Sequence, residues 1–521
     1  MLPSVSGMSE SGGMPPQATG LQPLPGEMSA TGRSGEDPAR PATDPLGQAL
    51  SEFWRARRLP AHDRTLVVSA GVGLAGGALL VGHQPGLGVA VVGLLIWAAA
   101  VPALIARRAI SDLLTAGLCV ALVGVVAIRD ADWVIALSLA IAAGVGAVAA
   151  TSARSAPASL LSLGSWVVGV VRAVPWIGRG VGVRAGHRRD QVVAGLRSVV
   201  VTVVLLLAFG LLFAGADRVF ASYLARFDLG LLPAQLVVGL LTALAAATLA
   251  HLALAPPPWA DLSMRASPPA HRAEWLLPVL ALDALVMIFV LVQVGALLGG
   301  HRHVLETAGL TYAQYARQGF AQLVLATALT LLVMAVAVRR APRLTRCDRV
   351  ISRAALGVLC LGALGVVASA LRRLDLYVDA FGLTRTRLLV IVVELAFAAV
   401  LLLVAAAGVR WRGRWLPRAI VQVAAVAALG LAVINPDAQI LRYNTTTDLD
   451  VPVDIGYLQG LSADAVPAMA TVREPLRSCL IATQTHVGRQ TVAGWNLGRS
   501  RAAATLSDAV TVTAAPATAT C

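Results

Sequence analysis

Two carboxyls sit where carboxyls are costly. Asp283 lies in VLALDALVM and Glu394 in VIVVELAFA, each flanked only by apolar residues. An ionisable group inside a membrane span is by default a functional candidate. The pair could therefore serve a proton- or ion-coupled transporter, with Gln293 ten residues beyond Asp283 on roughly the same helix face. The plainer role is a protonated or hydrogen-bonded carboxyl that holds neighbouring helices together. Asp112 and His251 lie nearer the ends of apolar runs and are expected to meet headgroups.

A second group of polar residues interrupts the apolar chain at GLTYAQYARQGF, Gly309 to Phe320. Tyr312 and Tyr315 read as interfacial aromatic anchors. Arg317 could bind a lipid phosphate or an anionic substrate, or snorkel from the end of a span. The stretch Glu306-Thr-Ala-Gly-Leu-Thr311 recurs as Asp379-Ala-Phe-Gly-Leu-Thr384. In each copy Gly can close one helix in the left-handed region and Thr can cap the next. His301 and His303 offer two imidazoles with only Glu306 nearby, short of a metal-ligand set, so no metal and no cofactor are expected.

A third group follows the last apolar run. Asn435-Pro-Asp437 can start a helix, with a side-chain cap and Pro at the first helical position. Asn444 opens an N-x-T triplet, Asp464 lies in a second expected helix, and Trp495, Asn496 and Arg499 open a third. Asp437, Asp448, Asp450, Asp454 and Asp464 are expected to pair with Arg442, Arg473, Arg499 and Arg501 as exposed ion pairs. Acid–base catalysis by two of these carboxylates is the sharper alternative.

The elements that must position these residues are membrane spans. Of 521 residues 57% are hydrophobic and 13% charged, against about 25% charged in a soluble protein. Apolar runs reach the length of a bilayer core at 66–82, 86–105, 109–128, 133–150, 192–214, 233–254, 275–298, 320–338, 354–371, 388–409 and 417–434. All 42 basic residues are arginine, which removes a Walker-type phosphate loop and lysine Schiff-base chemistry. The net charge of +14 does not indicate nucleic acid as a partner, because the arginines punctuate the spans. Gly71-Val-Gly-Leu-Ala-Gly-Gly77 reads as a close helix-packing face.

Sidedness follows from the arginines. With the N-terminus in the cytoplasm, inner segments carry twenty-four arginines and outer loops nine. An odd number of spans then places 435–521 outside. There Cys479 and Cys521 can form a disulfide. The apolar stretch Ser159–Val171, flanked by Trp166, Trp176 and arginines, suits a helix lying on the inner leaflet. Residues 1–50 are rich in Pro, Gly, Ser and Thr and are expected to be disordered. Residues 51–191 hold four spans and the interfacial segment, 192–434 about seven more, and 435–521 a helical tail.

Six stretches carry a resemblance: FGLLFAGADRVFASYL, GLTYAQYARQGF, DLYVDAFGLTRTRL, INPDAQILRYN, YLQGLSADAVPAM and GWNLGRSRA. On these, the chain resembles a bacterial family of multi-span membrane proteins catalogued as domain of unknown function 4173, related to 4153. The resemblance implies a membrane protein with a helical C-terminal tail and brings no catalytic residues.

The expectation is an all-α, polytopic transmembrane helix bundle of about eleven spans with a small extracytoplasmic helical tail. Its place is the bacterial cytoplasmic membrane, its partners the lipid bilayer and an envelope protein. The leading role is non-enzymatic, in sensing or partner assembly. A secondary transporter using Asp283 and Glu394 is one alternative. A membrane enzyme acting on a lipid-linked or envelope substrate, with its site between outer loops and tail, is the other.

Overall fold

The computed structural model describes residues 60–185, 189–217, 230–257, 271–308, 320–341, 345–410, 413–484 and 488–512. All regular elements among them are helical. In chain order they are α1 (Asp63–Leu80), α2 (Leu87–Ala106), α3 (Ile110–Ile128), α4 (Asp132–Thr151), α5 (Ala156–Leu163), α6 (Ser165–Ala185), α7 (Arg189–Ala216) and α8 (Leu232–Leu254). Then follow α9 (Arg272–Ala308), α10 (Phe320–Arg340), α11 (Arg346–Phe381), α12 (Arg385–Arg410) and α13 (Leu416–Val433). The tail holds α14 (Pro436–Thr446), α15 (Ile455–Gln459), α16 (Val466–Met469), α17 (Leu476–Ala482) and α18 (Leu497–Val512).

The helices form two groups. In the first, α1, α2, α3, α4, α8 and α13 pack together; in the second, α9, α10 and α12 surround α11; α12 against α13 joins them. Small residues set the closest approach. A Cβ on Gly73 would stand 2.8 Å from Gly239 O, and one on Gly77 2.5 Å from Gln235 O, so the Gly-rich face of α1 touches the backbone of α8.

Contacts between loops sort the helix ends into two sets. Gly82, Leu231, Arg129, Gly382 and Asn435 lie at the end that meets the tail, here the tail end. The far end gathers Ala61, Arg107, Ser152, Ala253 and Arg418. Eleven described helices are long and apolar enough to cross a membrane, Ser165–Val183 of α6 among them. Yet α6 stays within the far-end half of the bundle. Its Trp166 Nε1 donates to Ala143 O, Gly169 abuts Thr248 and Leu252, and Ala61 N donates to Trp176 O at 3.4 Å. It therefore packs against the far-end halves of α4 and α8 and reaches the start of α1. The chain must then climb from Gly180, beside Ala61, to Leu231 at the tail end. The described helix between them is α7, whose 28 residues reach about 42 Å and include the expected span 192–214.

The tail is not a separate lobe. Leu374, Val378, Leu388 and Leu431 of the bundle share one apolar core with Ile440, Leu441, Leu458, Val466, Met469 and Ala502 of the tail. The expected boundary at 434/435 thus marks a change from spanning helix to short helices inside a continuous core.

Candidate functional site

The polar side chains of the tail converge on its junction with the bundle. Asn435 starts α14 as expected: its Oδ1 accepts from Ala438 N, with Pro436 at the first helical position. That start puts Asp437, fully buried, against the bundle. Arg385 donates to it from Nε at 3.1 Å and from Nη2 at 2.7 Å. Trp133 Nε1 donates at 3.2 Å and Ser462 N at 2.9 Å. A forked guanidinium pair of this kind suits a carboxylate better than any single donor. Burial opposes ionisation of Asp437, but the Arg385 and Ser462 hydrogen bonds outweigh it and hold its carboxyl below the usual range.

Asp464 makes the second joint. Its Oδ2 accepts from the N–H groups of Asp130 and Ala131, at 2.7 and 3.0 Å, just before α4. Its Oδ1 lies 3.9 Å from Arg129 Nη1 and has no hydrogen-bond partner among the described residues. Burial pushes this carboxyl up, and the two N–H groups and Arg129 offset only part of that. Arg129 itself closes α13, donating to Ala432 O at 2.5 Å and Val433 O at 2.9 Å. Asn435 Nδ2 reaches Asp464 O, so the two tail segments are tied to each other as well.

Asn496 and Arg499 form the third joint. Asn496 Oδ1 accepts from Arg499 N and opens α18, while its Nδ2 donates to Val126 O and Arg129 O at the close of α3. One amide caps two helices 367 or more residues apart in sequence. Arg499 pairs with Asp130 at 2.5 Å and donates to Pro85 O and Gly494 O. The exposed Trp495 contributes its carbonyl, which accepts from Leu87 N at 2.7 Å. The ion pairs expected within the tail are thus replaced by pairs across the junction: Asp437 with Arg385, Asp464 with Arg129, Arg499 with Asp130. Buried carboxylates take the guanidinium groups that packing brings to them, whatever their distance along the chain.

The second copy of the repeated motif is built as expected. Gly382, at φ +78°, ends α11 with its N–H on Val378 O, and Thr384 Oγ1 accepts from Arg387 N. Asn444 clamps the turn between them: Leu383 N donates to its Oδ1 at 2.6 Å and its Nδ2 donates to Leu383 O at 2.9 Å. Asp379 accepts from Tyr443 OH at 2.5 Å. Burial and that carboxylate push the Tyr443 phenol up to about 12. In the first copy Tyr312, Tyr315 and Arg317 lie outside the described residues, as do the side chains of Glu306, His301 and His303.

Between the close of α3 and α14, α16 and α18 the joints leave a cavity of about 110 Å³, lined by Arg129, Asn435, Arg442, Asp464, Gly498 and Arg501 among others.

The intramembrane pair is not brought together. Asp283 on α9 and Glu394 on α12 are both buried, and no carboxyl oxygen of either has a hydrogen-bond partner among the described residues. Val286 and Val290 meet Gly362 and Gly365 of α11, and Cys360 Sγ donates to Leu401 O. Extending those registers sets Asp283 level with Leu359 and Glu394 level with Val367, about 12 Å apart along α11. Gln293 is half-buried, two turns and more beyond Asp283.

Asp112 and His251 do not meet headgroups. Asp112 is 1% exposed; Arg418 Nη1 lies 2.7 Å from its Oδ1, and Ser152 Oγ donates to its Oδ2. Arg107, 4.0 Å from Asp112, gathers Ala150 O, Leu252 O and Ala253 O at the closes of α4 and α8. The buried His251 packs edge-on to Trp176. Asp112 is enclosed by Arg418 of α13 and by Ser152, and His251 by Trp176 of α6. Sequence reasoning missed Arg129, Arg385, Trp133 and Asp130 as junction residues. The one signal was that Arg129 and Arg385 are among the nine arginines of the expected outer loops.

Cys479 is disulfide-bonded, and Cys119, Cys347 and Cys360 are free; Cys521 lies outside the described residues. Among the described residues no group of three His, Cys, Asp or Glu side chains is placed to hold a metal ion. The family described as Domain of unknown function (DUF4153) matches residues 117–472, from within α3 through α16. Among curated proteins and among solved structures, none matches the chain.

Proposed function

The chain belongs to the DUF4153 family, and on that premise we propose that it is a non-enzymatic envelope protein whose tail is a fixed outer cap used in sensing or partner assembly. Kinship with the related family 4173 belongs to the same proposal. The observation that carries the reading is the junction itself. Asp437, Asp464 and Asn496 are buried and bonded to Arg385, to the backbone before α4 and to the close of α3. Groups held by guanidinium and backbone partners act as a joint and leave an outward cap surface for recognition.

In this proposal the protein sits in the bacterial cytoplasmic membrane with the N-terminus inside and the tail outside. Two observations support that orientation. The arginine-rich connections fall at the far end, and Cys479 in the tail is disulfide-bonded, which suits an oxidising compartment. The amphipathic α6 then lies on the inner leaflet.

The test is labelling and crosslinking in intact cells. A cysteine placed at exposed Arg473 should react with an impermeant maleimide, and a photo-crosslinker there should give one discrete adduct. Labelling only after the cells are opened would overturn the orientation. A crosslinker that yields no adduct at any exposed tail position would overturn partner assembly. Transport is the second reading, favoured by the unpaired Asp283 and Glu394. It is tested by flux into vesicles with Asp283→Asn and Glu394→Gln.

A further inference from the structure

The cavity under the tail is lined by three guanidinium groups and one carboxyl. Arg129 is buried and faces Asp464. Arg442 and Arg501 are exposed, and neither has a carboxylate partner among the described residues. Three arginines at one cavity repel each other, and a single carboxylate leaves two positive charges uncompensated. Guanidinium forks match the oxygens of a phosphate group. Asp464 asks for the opposite. It is 3% exposed, its Oδ2 is taken by Asp130 and Ala131, and its Oδ1 has no donor. A buried acceptor left without a donor is costly, and a ligand ammonium would supply one. Gly498 packs directly against that oxygen, where a Cβ would overlap Asp464 Oδ1, and Asp464 and Gly498 both line the cavity.

We infer that this cavity binds an aminoalkyl phosphate, its phosphate on Arg442, Arg501 and Arg129 and its ammonium beside the Asp464 carboxyl. The cavity lies where α3 and α13 end, at the level where headgroups meet a spanning helix. The source of this chemistry is therefore a phosphoethanolamine lipid headgroup or a free aminoalkyl phosphate. The inference rests on the reading of the tail as a recognition cap and adds the ligand.

The experiment is calorimetric titration of the purified full chain in detergent with O-phosphoethanolamine, inorganic phosphate and ethanolamine. O-phosphoethanolamine should bind most tightly. Arg442→Gln with Arg501→Gln should weaken it and inorganic phosphate roughly tenfold or more, the loss of at least one charged hydrogen bond. Asp464→Asn should weaken O-phosphoethanolamine about tenfold and leave inorganic phosphate unchanged. The exposed Arg473→Gln, away from the cavity, should change neither. Binding no tighter than inorganic phosphate, or equal losses with Arg473→Gln, overturns the inference. The two exposed arginine variants carry the test even if Asp464→Asn does not fold. In nanodiscs, phosphatidylethanolamine that displaces the soluble ligand where phosphatidylglycerol does not identifies a lipid headgroup. Equal binding in both identifies a free ligand. Titration in detergent is indifferent to membrane orientation and to protein partners, so its failure is distinct from failure of the labelling and crosslinking tests.

Discussion

Asn444 holds Leu383 by both of its backbone groups, with Leu383 N on Oδ1 at 2.6 Å and Nδ2 on Leu383 O at 2.9 Å. One tail amide thereby fixes the turn that ends α11 and starts α12. The turn cannot rearrange around a different residue: Gly382 sits at φ +78° and a Cβ there would stand 2.7 Å from Asn444 Oδ1. Asn444→Ala removes two partners from buried backbone groups, each worth about 1–3 kcal/mol when left unsatisfied. A loss of roughly 2–6 kcal/mol, read as a lower melting temperature in detergent, is expected. An unchanged melt would mean that the turn holds without the clamp.

Arg385→Gln leaves Asp437 buried without its cation. Breaking a buried pair from one side costs about 3–5 kcal/mol, so this variant should be among the least stable. Replacing both residues, Arg385→Gln with Asp437→Asn, should recover part of the loss. A double variant no better than the single one would show that the pair itself, and not the orphaned charge, sets the stability.

The two junction carboxyls should respond to pH in opposite directions. Asp437 is held below the usual range. The stability it contributes is present above the unfolded value of about 3.9 and is lost as pH falls through its folded value. Asp464 is pushed up, so the folded state keeps its proton longer and loses stability as pH rises from about 3.9 towards its folded value. Melting curves against pH should therefore lose their acid-side decline in Asp437→Asn. In Asp464→Asn they should lose the decline on raising pH above that point.

Gly498→Ala and Gly430→Ala form a matched pair. A Cβ on Gly498 would overlap Asp464 Oδ1, whereas one on Gly430 meets nothing within 4 Å. Gly430→Ala in α13 should be neutral or gain up to about 1 kcal/mol from helix propensity. Gly498→Ala should loosen the tail, seen as faster tryptic cleavage at Arg489 in the folded protein. Equal cleavage in both variants would contradict the tight seat of α18 on Asp464.

Asp283→Asn and Glu394→Gln should each leave the unfolding free energy within about 1 kcal/mol of the parent, because neither carboxyl has a hydrogen bond to lose among the described residues. Proton flux into vesicles that vanishes in either variant would instead give these residues the transport role.

Much of the fold could be read along the chain, and the reason is locality. A run of apolar residues must leave water wherever it sits, so the positions of the spanning helices follow from the run itself. The left-handed Gly382, the Asn435 cap with Pro436, and the packing glycines of α1 are local for the same reason, each decided by a few neighbouring residues. Locality also has its limits. Ser165–Val183 is as long and apolar as a span, but its contacts with Ala143, Leu252 and Ala61 keep it in the far-end half of the bundle, in line with the surface helix expected from its tryptophans and arginines. Asp437, Asp464 and Asn496 were legible as polar residues that needed a purpose. Their partners Arg385, Arg129 and the close of α3 were not, because a buried charge is satisfied by whatever packing brings within hydrogen-bond reach, here from 52 to 370 residues away.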